Sequence, residues 1–223
     1  MEETTTHKAK PVTKSKPKFK RRADARPDEV LDAALQLFMS TGFEATRVED
    51  IAKIAGISKA TVYLYFPSKI ALLEGLVRRS ISPLVKSAES AMATFDGSAL
   101  DALKLGLSIA CSKLVEPKVV AVPVIVLREG NRFPEIARLY FSEVVAHILP
   151  SLIAVVERGI ARGEFREVDP ELTVRNIVGP LMFHFLAAMV FNIGDISPDG
   201  LRRFLENHLD VLLNGLHKGS ENG

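Results

Sequence analysis

Residues 43–77 read FEATRVEDIAKIAGISKATVYLYFPSKIALLEGLV, and the punctuation of this stretch decides the fold. Thr46-Arg47-Val48-Glu49 has the form of a capping box, in which Thr46 and Glu49 reciprocally satisfy free backbone N–H groups at a helix start. Val48, Ile51, Ala52 and Ala55 then recur at helical spacing. Gly56 interrupts, Ile57 plugs inward, and Ser58 caps a further short helix from Lys59 to about Tyr65. Pro67 stops that helix, because the residue before a proline is pushed away from helical geometry. Ser68 caps the next one, which runs from Lys69 through Leu72, Leu73, Leu76 and Val77.

Upstream, Pro27 suits a first helical position, and Asp28 and Glu29 suit the positive end of the helix dipole. Val30, Leu31, Ala34, Leu37 and Phe38 form the apolar stripe of this first helix. Gly42 closes it as a left-handed cap, with Phe43 folding back onto it. A short helix, a glycine turn and a second short helix packed on a preceding one make a helix-turn-helix. Ala52 is small enough for close approach, and Ile57 and Val62 pin the pair to the first helix. The outer face of the second short helix then carries Lys59, Thr61 and Tyr63, with Ala60 between them. These side chains suit base edges and phosphates. The plainer alternative is a helical hairpin with an amphipathic surface.

Downstream of residue 80 every segment again has helical periodicity. Breaks near 96–97, 116–117, 130–134, 163–170 and 194–198 predict helices at about 98–115, 118–129, 134–162, 170–192 and 198–216. Pro83, Pro123, Pro150 and Pro180 should kink or split these segments. Val119 to Leu127 is the most strand-like run, yet still reads as helix. The expected fold is all-α, with no internal repeat. The expected domains are a disordered basic arm at 1–26, a helix-turn-helix domain at 27–77, a larger helical regulatory and dimerisation domain at 78–218, and a flexible tail at 219–223.

Charge separates the arm from the body. Residues 1–26 hold nine basic and three acidic side chains, so the arm carries +6 and the remainder −4 within a net +2. A basic arm on an acidic body suits a polyanion such as duplex DNA; a solvated tail is the simpler alternative. With 47% hydrophobic and 25% charged residues the bulk is ordinary globular material. A lone cysteine, Cys111, forms no intramolecular disulfide and no thiolate zinc cage, which fits a reducing, cytoplasmic setting. No secretory leader is expected, because the first apolar run follows the basic arm. Ile177 to Ile193 has no charged residue, but it is short for a bilayer span and contains Pro180, His184 and Asn192. It reads as a helix buried in a core or a subunit interface, so no membrane partner is expected.

Catalytic and metal chemistry lack a sequence basis. There is no glycine-rich phosphate loop, no Gly-x-Ser-x-Gly elbow, and no His-Glu-x-x-His. The five histidines show no i, i+3 or i+4 pair, so neither a metal nor a cofactor is expected. Cys111, Arg128, Tyr140, His147, Asn176 and His184 are polar groups set in apolar helices and are candidate contacts for a small molecule. Each taken alone reads more readily as a satisfied core residue. Met182, Met189, Phe183, Phe185 and Phe191 read as core or interface. A ligand among such residues is largely apolar, with one or two polar anchors.

Residues 43–77 resemble the DNA-binding domain of the tetracycline-repressor (TetR) family. The landmarks are Gly42-Phe43, Ile51-Ala52, Ala55-Gly56, Ser58-Lys59, Thr61-Val62-Tyr63, Tyr65-Phe66 and Ser68-Lys69. The resemblance is strong over 27–77 and extends beyond only in helix count and length. It implies a homodimeric, ligand-responsive repressor, not an enzyme, acting on a palindromic operator through its third helix. Thr46 and Arg47 would meet the DNA backbone. Ser58, Lys59, Ala60 and Thr61 would form the groove-facing edge, and Tyr63 and Lys69 would contact phosphate. Arg47 stands where the family more often has Thr or Ser, and Ile70 where an acidic residue is common. An adaptor or membrane-peripheral protein using the arm and the 177–193 stretch is the reading of a different class.

Overall fold

The computed structural model describes residues 18–114 and 116–216. Every regular element among the described residues is helical. They run α1 (Lys18–Ser40), α2 (Val48–Ile54), α3 (Lys59–Tyr65), α4 (Lys69–Ser80), α5 (Ser82–Thr94), α6 (Ala99–Leu114), α7 (Pro117–Glu129) and α8 (Pro134–Tyr140). A five-residue π-helical segment (Phe141–Val145) follows, then α9 (Ala146–Ala161), α10 (Pro170–Phe191) and α11 (Pro198–Leu216). The all-α expectation holds.

Local chemistry explains most boundaries. The Ser58 and Ser68 side chains accept from the Thr61 and Ala71 N–H groups, as capping residues do. Gly42 has φ +94° and Gly56 φ +66°, the left-handed region that a Cβ disfavours. Phe43 folds back as expected, its ring 5.0 Å from that of Phe38. The strand-like Val119–Leu127 run is helical, within α7.

Two expectations are corrected, and two of the expected proline breaks are found. Helix α1 begins at Lys18 rather than Pro27, so residues 18–26 have helical backbone; residues 1–17 and the expected tail at 219–223 lie outside the described residues. One interior proline removes a single ladder hydrogen bond, here to the Ala23 carbonyl, and the flanking Lys, Arg and Ala are good helix formers. The capping box does not form. Arg47 is the N-cap of α2 with no side-chain cap, while Thr46 turns inward, 3% exposed, and its hydroxyl donates to the Gly42 carbonyl at 2.6 Å. The fourth helix ends at Ser80, and Pro83 falls in the first turn of α5, where its missing N–H is harmless. The expected 134–162 helix is interrupted by the π segment just before Ala146, whose carbonyl finds no N–H on Pro150.

One continuous apolar core runs from α1 to α11. Val30, Phe38, Ile51, Val62, Leu72 and Leu76 fill the space among α1–α4, and Leu103, Ile125, Val156, Ile177 and Leu201 fill the larger bundle. Helix α7 packs on both α1 and α4, so the bundle touches the N-terminal helices directly.

Candidate nucleic-acid interface and its attachment to the bundle

The turn between α2 and α3 is a tight, internally bonded unit. Ile57 N–H donates to the Ala52 carbonyl at 3.0 Å, and Gly56 N–H to the Lys53 carbonyl at 3.3 Å. Ala52 is buried, and Val62 from α3 is wholly buried, so the two helices are fixed edge to edge. The rest of α3 faces outward: Lys59, Ala60, Tyr63, Leu64 and Tyr65 are exposed, and Thr61 is half-buried. Arg47 is exposed beside them at the start of α2.

Polar side chains here are already partnered. The Lys59 ammonium lies 2.5 Å from Glu49 Oε1 and 5.7 Å from the centre of the Tyr63 ring. The hydrogen bond to Lys59 holds the Glu49 carboxyl below its ordinary value and, reciprocally, raises the Lys59 ammonium. Ser58 and Thr61 hydroxyls lie 2.8 Å apart. Sequence reading missed Glu49 as the partner of Lys59, because the capping-box pattern offered it a local role instead.

Two expected DNA contacts have other work. Thr46 is buried and its hydroxyl is bonded, as described above. Lys69 Nζ donates to three carbonyls, those of Phe43 at 2.7 Å, Glu44 at 2.7 Å and Thr46 at 3.0 Å, and lies 4.9 Å from the Phe43 ring centre. Burial pushes its ammonium below the ordinary lysine value. All three of its donors are used. Lys69 therefore ties down the α1–α2 loop from inside the domain rather than reaching outward.

The same loop is held from the bundle. Glu129, the last residue of α7, is 8% exposed, and its Oε1 accepts from Phe43 N–H at 3.3 Å and Arg128 Nε at 3.0 Å. Arg128 also donates to the Phe38 carbonyl at the end of α1. Arg132 donates to Glu44 at 2.7 Å. Toward the other end of α7, Asp32 of α1 accepts from Arg79 at 2.8 Å and from Lys118 at 2.7 Å. Arg128, expected as a ligand contact, is thus an interdomain tie.

The remaining ligand candidates are not brought together. Cys111 is buried in α6, and burial pushes its thiol up to about 11. Tyr140 ends α8, where burial raises its phenol to about 12. His147 is exposed on α9, and Asn176 is exposed on α10. His184 on α10 stacks on Phe204 of α11 at 4.2 Å and faces the Asp195 carbonyl at 3.2 Å. His184 lines an open cleft with Asp195, Arg203 and Phe204, and none of the other candidates shares that cleft. A separate apolar crevice between α7 and α10 is lined by Val120, Pro123, Val124, Leu127, Met182, Phe185 and Leu186.

Comparison with known proteins agrees with this arrangement. The profile described as "Bacterial regulatory proteins, tetR family" matches residues 30–76, and "AefR-like transcriptional repressor, C-terminal domain" matches residues 104–215. The HTH-type transcriptional regulator RutR of Escherichia coli K12 is 42% identical over 68 residues, a match spanning 30% of this chain and 32% of that one. The HTH-type transcriptional repressor KstR2 of Mycolicibacterium smegmatis is 30% identical over 155 residues, 69% of this chain and 74% of that one. The structure of the fatty acid degradation regulator FadR from Bacillus halodurans superimposes with a TM-score of 0.70 at 26% identity, covering 85% of this chain and 99% of that one. The chain belongs to the tetR family of bacterial regulatory proteins, and it is a DNA-binding transcriptional regulator rather than an enzyme.

Proposed function

We propose that the protein is a homodimeric, ligand-responsive repressor that places α3 of each copy in the major groove of a palindromic operator. The observation that carries this is the asymmetry of α3. Val62 is wholly buried, while most of the helix is exposed above a turn set by Gly56. On this reading Ser58, Lys59, Ala60 and Thr61 meet base edges, and Arg47 and Tyr63 meet phosphates. Lys18, Lys20, Arg21 and Arg22 add positive charge for the same polyanion. Tyr63→Phe removes one phosphate hydrogen bond, so affinity for operator and random DNA falls alike and preference is kept. An unchanged affinity for both would overturn the role of Tyr63.

A second copy is supported by the exposed apolar side chains of α10 and α11. Leu172, Phe183, Phe191 and Val211 are exposed, Phe183 at 64%. Leu181 and Phe185 face the protein's own core, so a charge there tests folding; Phe183→Asp tests assembly. A monomer on sedimentation is expected for Phe183→Asp and a dimer for the unmodified protein. A soluble unmodified monomer contradicts the proposal.

The effector on this reading is a largely apolar molecule acting in the cytoplasm. The likeness to a fatty acid degradation regulator supports it. Occupancy that shifts α7 would act on the α1–α2 loop through Glu129 and Arg128, and so on the spacing of the two reading heads.

A further inference from the structure

Successive residues of an α-helix turn by about 100°, which places every α3 side chain relative to buried Val62. Ala60 and Leu64 lie within about 20° of the direction opposite Val62. Lys59 and Tyr63 flank them on one side, Thr61 and Tyr65 on the other. The crest of the helix is therefore apolar, not cationic. Leu64 is 84% exposed, more than any other exposed large apolar side chain described. Residues four apart on a helix have neighbouring Cβ atoms, so Ala60 and Leu64 form one ridge.

The flanking groups have prior engagements that the ridge lacks. Lys59 is paired with Glu49, and Ser58 and Thr61 hydroxyls are paired with each other. A side chain that leads into the major groove without a polar group has one distinctive feature to meet there, the C5-methyl of thymine. Resting on the reading of α3 as the groove-entering helix, we infer that Ala60 and Leu64 are specificity-determining residues, reading thymine methyl groups by apolar contact. An exposed leucine on a surface built for a polyanion otherwise gains nothing from its position. Lys59 then supplies charge near the duplex and is not the principal reader of a base.

The test uses the duplex that the unmodified full-length protein selects from a random pool, with each thymine replaced singly by uracil. Uracil keeps every hydrogen-bonding group and lacks only the methyl. At one or two positions per half-site, uracil should weaken binding by about fourfold, the worth of one buried methyl. Leu64→Ala should lose that sensitivity while remaining folded, because the Leu64 side chain stands in solvent rather than in the core. Leu64→Met, which keeps an apolar tip, should restore it. Binding that ignores uracil at every position, or a Leu64→Ala variant that keeps the full uracil effect, overturns the inference. If Lys59→Ala, Thr61→Ala, Tyr63→Phe and Leu64→Ala all bind as the unmodified protein does, α3 does not enter the groove, and the parent reading falls with it. If Leu64→Ala alone is silent, only the ridge falls.

Discussion

The α2–α3 unit and the end of α7 both position the surface proposed to meet DNA, yet they are built in opposite ways. In α2–α3 the bonds that set the geometry span three to five residues: Ser58 to Thr61, Gly56 to Lys53, Ile57 to Ala52. At the end of α7 they span 86 to 90 residues: Glu129 to Phe43, Arg128 to Phe38. The first unit is specified by neighbouring residues and holds its shape as a turn. The second exists only when the bundle and the N-terminal helices are docked. A regulator needs both, a reading surface of fixed shape and a hold on it that can change.

The largest expected effect comes where the two regions meet. Phe38 is fully buried, packs on Phe43, and offers its carbonyl to Arg128. Phe38→Ala should cost about 3–5 kcal/mol in chemical denaturation. If the two regions are energetically joined, DNA binding and the fold of the bundle should be lost in one transition. Two separated transitions would show that the tie is weaker than the geometry implies.

Glu129→Ala sharpens the comparison by cutting only the long-range side. It leaves the buried Phe43 N–H without its partner and Arg128 without its carboxylate, so a loss of about 1–3 kcal/mol is expected. DNA affinity should change along with stability, because the α1–α2 loop loses its buried tie to α7 while α3 is untouched. An unchanged operator affinity would mean that the tie is structural and carries no coupling.

Gly56→Ala cuts the local side. No atom lies within 4 Å of the added Cβ, so its cost is backbone strain alone at φ +66°. That strain is about 1–2 kcal/mol. Sequence preference should survive, since α3 keeps its side chains. Lys69→Met sits between the two. It strands three loop carbonyls and should lower the melting temperature while leaving the slope of log affinity against log salt unchanged. A slope flattened by about 0.9 would instead make Lys69 a phosphate contact.

These contrasts explain what is legible in the sequence. The limits of α3, the caps at Ser58 and Ser68, the Gly42 and Gly56 turns, and the Phe43 fold-back all follow from residues a few positions apart. The helix limits of α6, α7, α10 and α11 are legible for the same reason, because prolines and glycines mark them. Thr46 and Glu49 mislead, since their spacing fits a capping box while burial of Thr46 and the pull of Lys59 on Glu49 win in three dimensions. Lys69 and Arg128 mislead for a related reason. A basic residue in a motif or an apolar helix carries no sign of whether distant carbonyls will claim it. Leu64 escapes a search for polar groups, although counting turns from Val62 already places it on the crest.

The smallest expected effect is an acid-sensitive one at the N-terminal end of α7. Desolvation opposes ionisation of Asp32, but hydrogen bonds from Lys118 and Arg79 outweigh it and hold the carboxyl below its ordinary value. A depressed carboxyl adds stability above its unfolded value, and that share is lost as pH falls through the lower folded value. The group is partly exposed, so Asp32→Asn should cost about 0.2–1 kcal/mol at neutral pH and almost nothing once the unmodified carboxyl is protonated. An equal cost at both pH values would remove the ion pairs from the account.

The central claim, a two-fold reader built on α3, is tested most directly by selecting duplexes from a random pool with the unmodified full-length protein. Such a reader selects an inverted repeat, with half-site centres one helical turn or a whole multiple of it apart, and every preferred position present twice. Enrichment of a single unrepeated site, or binding that falls with salt but prefers no sequence, would contradict it.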